Sequence, residues 1–221
     1  MRPYIGNNHL PTKRRPEKPL ELYEFEACPF CRKAREALSA LSITVIIKPC
    51  PRNGPTFRKE VLQRTGQEQF PYLIDPNTNV SMFESSDIVR YLFDTYGADS
   101  APWTMSSDSF ATATSSLASA SRFGRGMYYR PARKPEEMLE LYSFEGSPYC
   151  RIVREVLCEF EIPYLLHNVP KGSPDRASFV ERSGKMQVPY LVDSNTGIEM
   201  FESEDIILYL TETYAENTDE L

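Results

Sequence analysis

The sequence lacks a long hydrophobic run, an excess of positive charge and a cluster of histidines. No apolar stretch approaches the roughly 20 residues that a membrane-spanning helix needs, so we expect no transmembrane segment. The net charge of −6 argues against nucleic acid as the main partner, because phosphate backbones select basic surfaces. His9 and His167 lie far apart without Cys or His at ligand spacing, so no metal site is expected.

Signals for secretion and for a disulfide scaffold are also missing. The first residues are polar and basic, which does not match an apolar secretory segment. The five cysteines are an odd number, and without a secretion signal this indicates a reducing intracellular compartment. Residues 1–18 are interpreted as a basic N-terminal arm in solvent, and the stub of a targeting peptide is the alternative.

What the sequence does contain is an internal repeat. Cys31 matches Cys150 and Glu84 matches Glu202, with one residue lost in the loop between them. Each copy is long enough to form a small independent domain rather than a solenoid repeat. We predict five segments: the arm at 1–18, a first unit at 19–97, a Ser/Ala-rich linker at 98–137, a second unit at 138–215 and an acidic tail at 216–221.

The linker composition favours a flexible or loosely docked connection, with a weak helix after Asp108 as a local option. Within each unit the hydrophobic period changes in the order β-α-β-α-β-β-α. In the first unit Pro29 marks a helix start, while Gly66 and Gly97 mark helix ends. This order predicts an α/β fold in which each unit has a mixed four-stranded sheet with helices on both faces.

Three motifs occur once in each unit. They are "CPFC" and "SPYC", "QFPYLID" and "QVPYLVD", and "MFESSDI" and "MFESEDI". In this order they resemble the thioredoxin superfamily, and more closely the glutaredoxins and the N-terminal domain of glutathione S-transferases. The resemblance covers both units and implies two tandem thioredoxin-like units. The tandem layout also resembles a group of plastid proteins, which suggests a plastid location, with the cytoplasm as the alternative.

Cys28 and Cys31 form a Cys-X-X-Cys pair between a predicted strand and a predicted helix. Disulfide exchange needs an exposed, stabilised thiolate, and a helix N-terminus favours negative charge. In such settings the pKa of a cysteine falls from about 8.5 into the range of about 3.5–7.5. We predict Cys28 as the nucleophile and Cys31 as the resolving thiol, and two unreactive core cysteines are the alternative. Glu26 lies shortly before Cys28, and its negative charge is expected to oppose the lowering of the Cys28 pKa.

The resemblance implies glutathione as the cofactor and binding partner. It places the binding residues at a cis-proline corner and before the last helix of each unit: Phe70, Pro71, Glu84 and Ser85 in the first unit, and Val188, Pro189, Glu202 and Ser203 in the second. From the residues alone, a strand-starting proline and a simple serine N-cap are the alternatives.

The second unit has Ser147 where the first has Cys28. A serine cannot form a disulfide, but it can donate a hydrogen bond to a glutathione thiolate, as the resemblance to serine-type transferases implies. Cys150 keeps the resolving position without a partner in its own unit. The second unit is therefore a binding module for glutathione or a partner, or a degenerate copy kept for packing.

Three functional hypotheses follow. The first is a glutathione-linked thiol–disulfide oxidoreductase that acts through Cys28 on protein disulfides or glutathionylated substrates. The second is a non-catalytic module that binds glutathione or proteins through two thioredoxin-like faces. The third, ranked lowest, is an iron–sulfur carrier with Cys28 and glutathione as ligands. Cys50 is either an inert apolar residue or a third redox thiol.

Overall fold

A computed structural model describes residues 7–106 and 124–216, so the helix considered after Asp108 lies outside the described residues. The first unit contains β1 (Leu20–Glu24), α1 (Pro29–Ala40), β2 (Val45–Pro49), α2 (Phe57–Thr65), β3 (Tyr72–Asp75), β4 (Val80–Met82) and α3 (Ser85–Tyr96), and α4 (Trp103–Ser106) follows it. The second unit contains β5 (Leu139–Ser143), α5 (Pro148–Glu159), β6 (Tyr164–Asn168), α6 (Arg176–Ser183), β7 (Tyr190–Asp193), β8 (Ile198–Phe201) and α7 (Ser203–Tyr214).

The helix boundaries follow the local signals in the sequence. Pro29 is the first residue of α1, where its missing N–H removes no intrahelical hydrogen bond. Gly66 ends α2 in the left-handed conformation, with a φ of 73°. Gly97 ends α3 with a φ of −71°, and a Cβ there would lie 2.8 Å from the carbonyl oxygen of Phe93. At Gly97 the requirement is therefore space and not a left-handed backbone.

The predicted fold class is confirmed in both units. In the first, β1 pairs in parallel with β2 and antiparallel with β3, and β3 pairs antiparallel with β4. One face of the sheet packs on α1 and α3 through a large apolar core. The other face packs on α2, where Phe57 and Val61 contact Tyr23 and Tyr72. The second unit repeats this arrangement with β5 to β8.

The two sheets join into one, which the sequence did not predict. Strand β2 pairs antiparallel with β6, with Ile47 opposite Tyr164, and the strand order is β4-β3-β1-β2-β6-β5-β7-β8. Matching strands of the two units lie equally far from the centre of this order, so an approximate two-fold axis passes between β2 and β6. Helices α1 and α5 consequently run antiparallel, and the CPFC and SPYC motifs lie at opposite ends of this helix pair. A disulfide between Cys28 and Cys150 is not compatible with this arrangement.

The described part of the N-terminal arm is anchored, contrary to the expectation of a segment in solvent. The N–H of His9 donates to the carbonyl of Lys171 at 2.8 Å, and the N–H of Lys171 donates to the carbonyl of Asn7 at 2.7 Å. The N–H of Lys13 donates to the carbonyl of Tyr96 at 2.9 Å. The arm is held because backbone groups in a second-unit loop and at the end of α3 find partners in it.

The described end of the linker is anchored in the same way, so this part is not loosely docked. The N–H of Tyr129 donates to the carbonyl of Arg52 at 2.9 Å, and the N–H of Arg52 donates to the carbonyl of Met127 at 2.6 Å. The N–H of Arg133 donates to the carbonyl of Tyr214 at 2.9 Å. Each unit is thus preceded by an extended segment that crosses to the other unit. Among the described helices, none has the length and apolarity to cross a bilayer.

Candidate functional site

Cys28 lies between β1 and α1, at the N-cap of α1. Its Sγ accepts a hydrogen bond from the N–H of Cys31 at 3.3 Å. Hydrogen bonds from the thiol and N–H of Cys31 and the N–H of Phe30, together with the charge of Arg35, lower the pKa of Cys28 to about 7, although burial opposes them. The geometry therefore stabilises a thiolate at this position.

Cys31 has the opposite character. It is fully buried, and burial, its hydrogen bond to Cys28 and the negative charge of Cys28 and Glu24 raise its pKa well above the usual value. Cys50 is also fully buried, and burial is the first cause that raises its pKa. All five cysteines are buried free thiols. The difference between Cys28 and Cys31 provides one activated thiol and one that stays protonated.

Cys28 is less accessible than the sequence led us to expect. Only 4% of the residue is exposed, and Ser147 at the matching position is 6% exposed. The aromatic residues of the two motifs are exposed instead: Phe30 is 46% exposed and Tyr149 is 65% exposed. The expectation of an exposed thiol was wrong because the N-cap position sets the side chain against the helix N-terminus.

The peptide bonds before Pro71 and Pro189 are both cis. The backbone N–H and C=O groups of Phe70 and Val188, which precede them, take part in none of the turn or ladder hydrogen bonds of the described residues. These groups can pair with an extended peptide backbone, as in the addition of a short strand. Pro71 and Pro189 also directly precede β3 and β7, as the alternative of a strand-starting proline expects, but neither strand lies at an edge of the sheet.

An arginine lies beside this corner in the first unit. The Arg58 guanidinium lies 4.9 Å from the ring centre of Phe70 and 5.5 Å from that of Phe25. Its Nη1 lies 2.6 Å from the carboxylate of Glu68. Arg52, Arg58 and Lys59 line a surface pocket with Glu68, which gives the corner a cationic border.

Glu84 and Ser85 lie at the start of α3, but not as the sequence suggested. The N-cap residue is Glu84, with a φ of 66°, and no side-chain hydrogen bond caps the helix. Ser85 is the first helical residue and is 5% exposed. The simple N-cap interpretation of Ser85 is therefore wrong. The uncapped N–H groups of this helix end suit a carboxylate ligand, while Glu84 accepts a hydrogen bond from Gln69 at 2.6 Å.

The second unit repeats this frame. Ser147 is the N-cap of α5, and its Oγ accepts the N–H of Cys150 at 3.3 Å. Glu202 has a φ of 66° and accepts a hydrogen bond from Gln187 at 2.5 Å, while Ser203 is 6% exposed. The second unit therefore repeats each local feature of the first: the N-cap at position 147, the cis-proline corner, and the start of the last helix, which Gln187 links to the corner as Gln69 does in the first unit.

The cationic border differs between the units. Arg176 corresponds to Arg58 and donates to the carbonyls of Val169 and Pro170. Met186 stands where the first unit has Glu68, and within residues 7–106 and 124–216 no carboxylate pairs with Arg176. The second-unit arginine thus keeps its charge uncompensated at the equivalent position.

A buried charge cluster, which the sequence did not reveal, lies between the units. Glu26 was expected to oppose the lowering of the Cys28 pKa, but Arg154 of the second unit pairs with it at 3.1 Å through two hydrogen bonds. Arg35 pairs with Glu145 at 3.0 Å and also contacts Glu24. Charged residues at matching positions of the two repeats were the available signal. In the described parts of the chain, no group of His, Cys, Asp or Glu side chains is arranged for a metal ion.

Several solved structures resemble parts of this chain. Bombyx mori glutathione transferase BmGSTD1 is 26% identical over 39% of each chain, with a TM-score of 0.35. Glutathione S-transferase unclassified 2 from Bombyx mori is 30% identical over 37% of this chain and 38% of that one, with a TM-score of 0.33. This chain therefore spans about two fifths of the length of these proteins.

A third structure aligns over more of the chain. Leishmania TDR1, described as a unique trimeric glutathione transferase, is 16% identical over 91% of this chain and 68% of that one, with a TM-score of 0.32. No curated protein matches this chain. The family model described as glutathione S-transferase, N-terminal domain, matches residues 22–100 and 141–218, which is more than half of the sequence. The chain belongs to the glutathione S-transferase N-terminal domain family, with two copies of that domain in tandem.

Proposed function

We propose that this protein is a glutathione-linked thiol–disulfide oxidoreductase whose nucleophile is Cys28. The observation that carries the proposal is the pKa of Cys28, lowered to about 7 by hydrogen bonds at a helix N-terminus. At neutral pH about half of such a thiol is ionised, and the thiolate is the attacking species. Membership in a glutathione transferase domain family supports glutathione as the thiol cofactor.

The first unit offers a place for each part of glutathione. The backbone groups of Phe70 suit its cysteinyl segment, and the uncapped start of α3 at Ser85 suits its γ-glutamyl carboxylate. The cationic border formed by Arg52 and Arg58 suits its glycyl carboxylate. Because Cys28 is only 4% exposed, a narrow disulfide that carries glutathione fits this site better than a bulky folded surface.

The reaction proceeds by two exchanges. The Cys28 thiolate attacks the glutathione sulfur of a mixed disulfide, which forms a Cys28–glutathione disulfide and releases the substrate as a thiolate. A second glutathione thiolate then attacks that disulfide, which gives oxidised glutathione and regenerates the Cys28 thiolate. In an alternative resolution the Cys31 thiolate attacks Sγ of Cys28, which forms a Cys28–Cys31 disulfide and releases glutathione as a thiolate; two further glutathione molecules then reduce that disulfide and leave as oxidised glutathione. The raised pKa of Cys31 makes this route the slower one, since Cys31 has to lose its proton first.

A binding role is the second candidate, and the second unit is the observation that favours it. Ser147, the Val188 corner and Arg176 keep the frame of a glutathione site without a nucleophilic sulfur. A Ser147 hydroxyl can donate to a bound thiolate while performing no exchange. In this candidate function the second unit holds glutathione or a glutathionylated partner. A plastid location stays a prediction.

The test is reduction of a glutathionylated peptide by glutathione, followed in four proteins. We expect Cys28→Ser to lower the rate at least 100-fold and Cys31→Ser to leave a substantial part of it. Cys150→Ser, the matched change in the second unit, should leave the rate within about twofold, because no thiol precedes it at position 147. An inactive wild-type protein that binds glutathione in calorimetry would overturn the oxidoreductase and leave the binding module.

A further inference from the structure

We propose that Arg154 is a positioning residue for Cys28, through which the second unit holds and neutralises Glu26 in the segment that leads to the thiol. The proposal deepens the proposed function, since it concerns the same thiol. It gives the second unit a role that requires neither a thiol nor a ligand of its own.

The segment from Phe25 to Ala27 is held by the second unit at two points and by the end of the linker at a third. The carboxylate of Glu26, which is 2% exposed, accepts hydrogen bonds from Nε and Nη2 of Arg154, each at 3.1 Å. The N–H of Glu26 donates to Sγ of Cys158 at 3.4 Å. Gly126 packs so closely that a Cβ there would lie 2.9 Å from the Cβ of Glu26.

The first unit and the N-terminal arm hold the matching segment of the second unit in return. The carboxylate of Glu145 accepts a hydrogen bond from Nε of Arg35 at 3.0 Å, and its N–H donates to Oγ of Ser39 at 3.2 Å. A Cβ on Gly146 would meet the side chain of Asn7. The same three kinds of contact therefore occur on both sides of the two-fold axis, and each unit positions the other's motif.

The charges around Cys28 show why neutralisation matters. Arg35 of the first unit favours the thiolate and pairs with Glu24, Glu26 and Glu145. From the second unit, Arg154 and Arg151 also pair with Glu26, and Arg154 pairs with Glu145 as well; Cys31 is the titratable neighbour of Cys28. Glu26 lies two residues before Cys28 and is almost fully buried. A buried carboxylate without its counter-charge disfavours a second negative charge nearby. Arg35 lies 3.3 Å from the Glu26 carboxylate but is shared with Glu24 and Glu145, so the two hydrogen bonds from Arg154 supply the remaining counter-charge and the thiolate is not opposed.

The proposal predicts opposite shifts for the two partners. The measurement is the pH dependence of Cys28 alkylation by iodoacetamide, with mass spectrometry to identify the modified cysteine. We expect Arg154→Gln to raise the pKa of Cys28 by about one unit, which slows alkylation at pH 7 about fivefold. We expect Glu26→Gln to lower that pKa, and the double variant Glu26→Gln/Arg154→Gln to return close to the wild-type value.

Two further variants separate charge from general damage. Arg154→Lys keeps the positive charge and should retain the wild-type pKa, even if its melting temperature falls. Arg130→Gln removes an exposed linker arginine that pairs with Glu159 at 3.1 Å, and it should leave Cys28 unchanged. If Arg154→Gln does not fold, the lowered Cys28 pKa expected for Glu26→Gln and the unchanged pKa expected for Arg154→Lys still test the proposal.

The outcomes for the two proposals are distinct. Equal pKa values of Cys28 in wild type, Glu26→Gln and folded Arg154→Gln would overturn the positioning role while leaving the oxidoreductase intact. A wild-type Cys28 that titrates near the free-thiol value of about 8.5 would instead contradict the proposed function. The alkylation assay needs no substrate, so a failure of turnover would count against the oxidoreductase without changing the test of the positioning role.

Discussion

Cys28 and Ser147 occupy the same position in two copies of one backbone. Their φ and ψ angles are −76° and 122° for Cys28, and −79° and 120° for Ser147. Each accepts the N–H of the residue three positions later at 3.3 Å, and a proline opens each helix. The comparison teaches that the helix N-terminus, the cis-proline corner and the uncapped last helix form a frame that exists with or without a reactive sulfur.

The surroundings of this frame differ more than the frame itself. Glu24 at the end of β1 corresponds to Ser143 at the end of β5, and both contact the arginine of their own helix. Glu68 compensates Arg58, whereas Met186 stands at the equivalent place near Arg176. The first unit thus carries extra buried and border carboxylates around the thiol. Two causes could make the units differ in thiol chemistry: the missing sulfur at position 147 or the missing carboxylates. Variants can distinguish them.

The largest effect is expected from giving the second unit its thiol. In a Cys28→Ser background we expect Ser147→Cys to restore exchange at least tenfold above the background, because the N–H of Cys150 and the helix N-terminus already face position 147. The new thiol should have a lowered pKa. The measurements are reduction of a glutathionylated peptide and the pH dependence of alkylation at position 147.

Ser147→Ala in the same background serves as the matched control and should restore nothing. An ordinary thiol pKa at position 147, with no regained exchange, would contradict the idea that one atom separates the units. The difference would then lie in Glu24, Glu68 and the other charges of the first unit.

The sequence was sufficient to predict the elements and their order, because the signals for them are local. Pro29 and Gly66 mark helix ends through backbone constraints that act within a few residues. The proximity of the second and third motifs, seen in the hydrogen bonds from Gln69 to Glu84 and from Gln187 to Glu202, is not such a local feature and came only from the family resemblance. The sequence was misleading at Ser85, since a serine near a helix start indicates a cap, and only the backbone shows that Glu84 occupies that position.

The relation between the units could not be predicted. The apolar run of β2 is compatible with a sheet edge covered by helices or with a sheet continued by another strand. Its pairing with β6 depends on residues of the second unit, which lie far away in the sequence. Glu26 and Arg154 illustrate the same limit, since neither neighbourhood indicates a partner in the other unit. Local periodicity carries no information on contacts of this range, although the repetition of both residues in each unit was visible.

Asp75 and Asp193 test whether the units are also equivalent in stability. Asp75 is fully buried and accepts hydrogen bonds from Tyr91 at 2.7 Å and Tyr96 at 2.5 Å, and Asp193 accepts the corresponding bonds from two tyrosines at 2.6 and 2.5 Å. We expect Asp75→Asn and Asp193→Asn each to lower the free energy of unfolding by about 3 kcal/mol. Urea unfolding followed by circular dichroism measures this.

The same pair tests whether the eight-stranded sheet unfolds as one body. Cys50 in the first unit and Cys150 in the second are both fully buried, so pulsed alkylation of each reports the opening of its own unit. We expect both to become reactive at the same urea concentration in Asp75→Asn, because β2 and β6 share a ladder. Earlier reaction of Cys50 alone would show that the first unit unfolds independently.

The smallest effect is expected from Glu24, the buried carboxylate that the second unit lacks. Burial raises its pKa to about 7, although Arg35 opposes the shift. Between an unfolded pKa of about 4.5 and this value the folded state binds more protons than the unfolded state. The free energy of unfolding should therefore fall by about 2 kcal/mol as the pH rises from about 5 to about 7, and then level off.

Glu24→Gln should remove that slope, and Glu21→Gln, on the same strand with a side chain 30% exposed, should keep it. The measurement is urea unfolding at half-unit pH intervals. If Glu24→Gln left the slope unchanged, Glu24 would be ionised throughout and stabilised by Arg35. The unequal charges at the ends of β1 and β5 would then not lower the free energy of unfolding. The difference between the units would lie in the chemistry at positions 28 and 147.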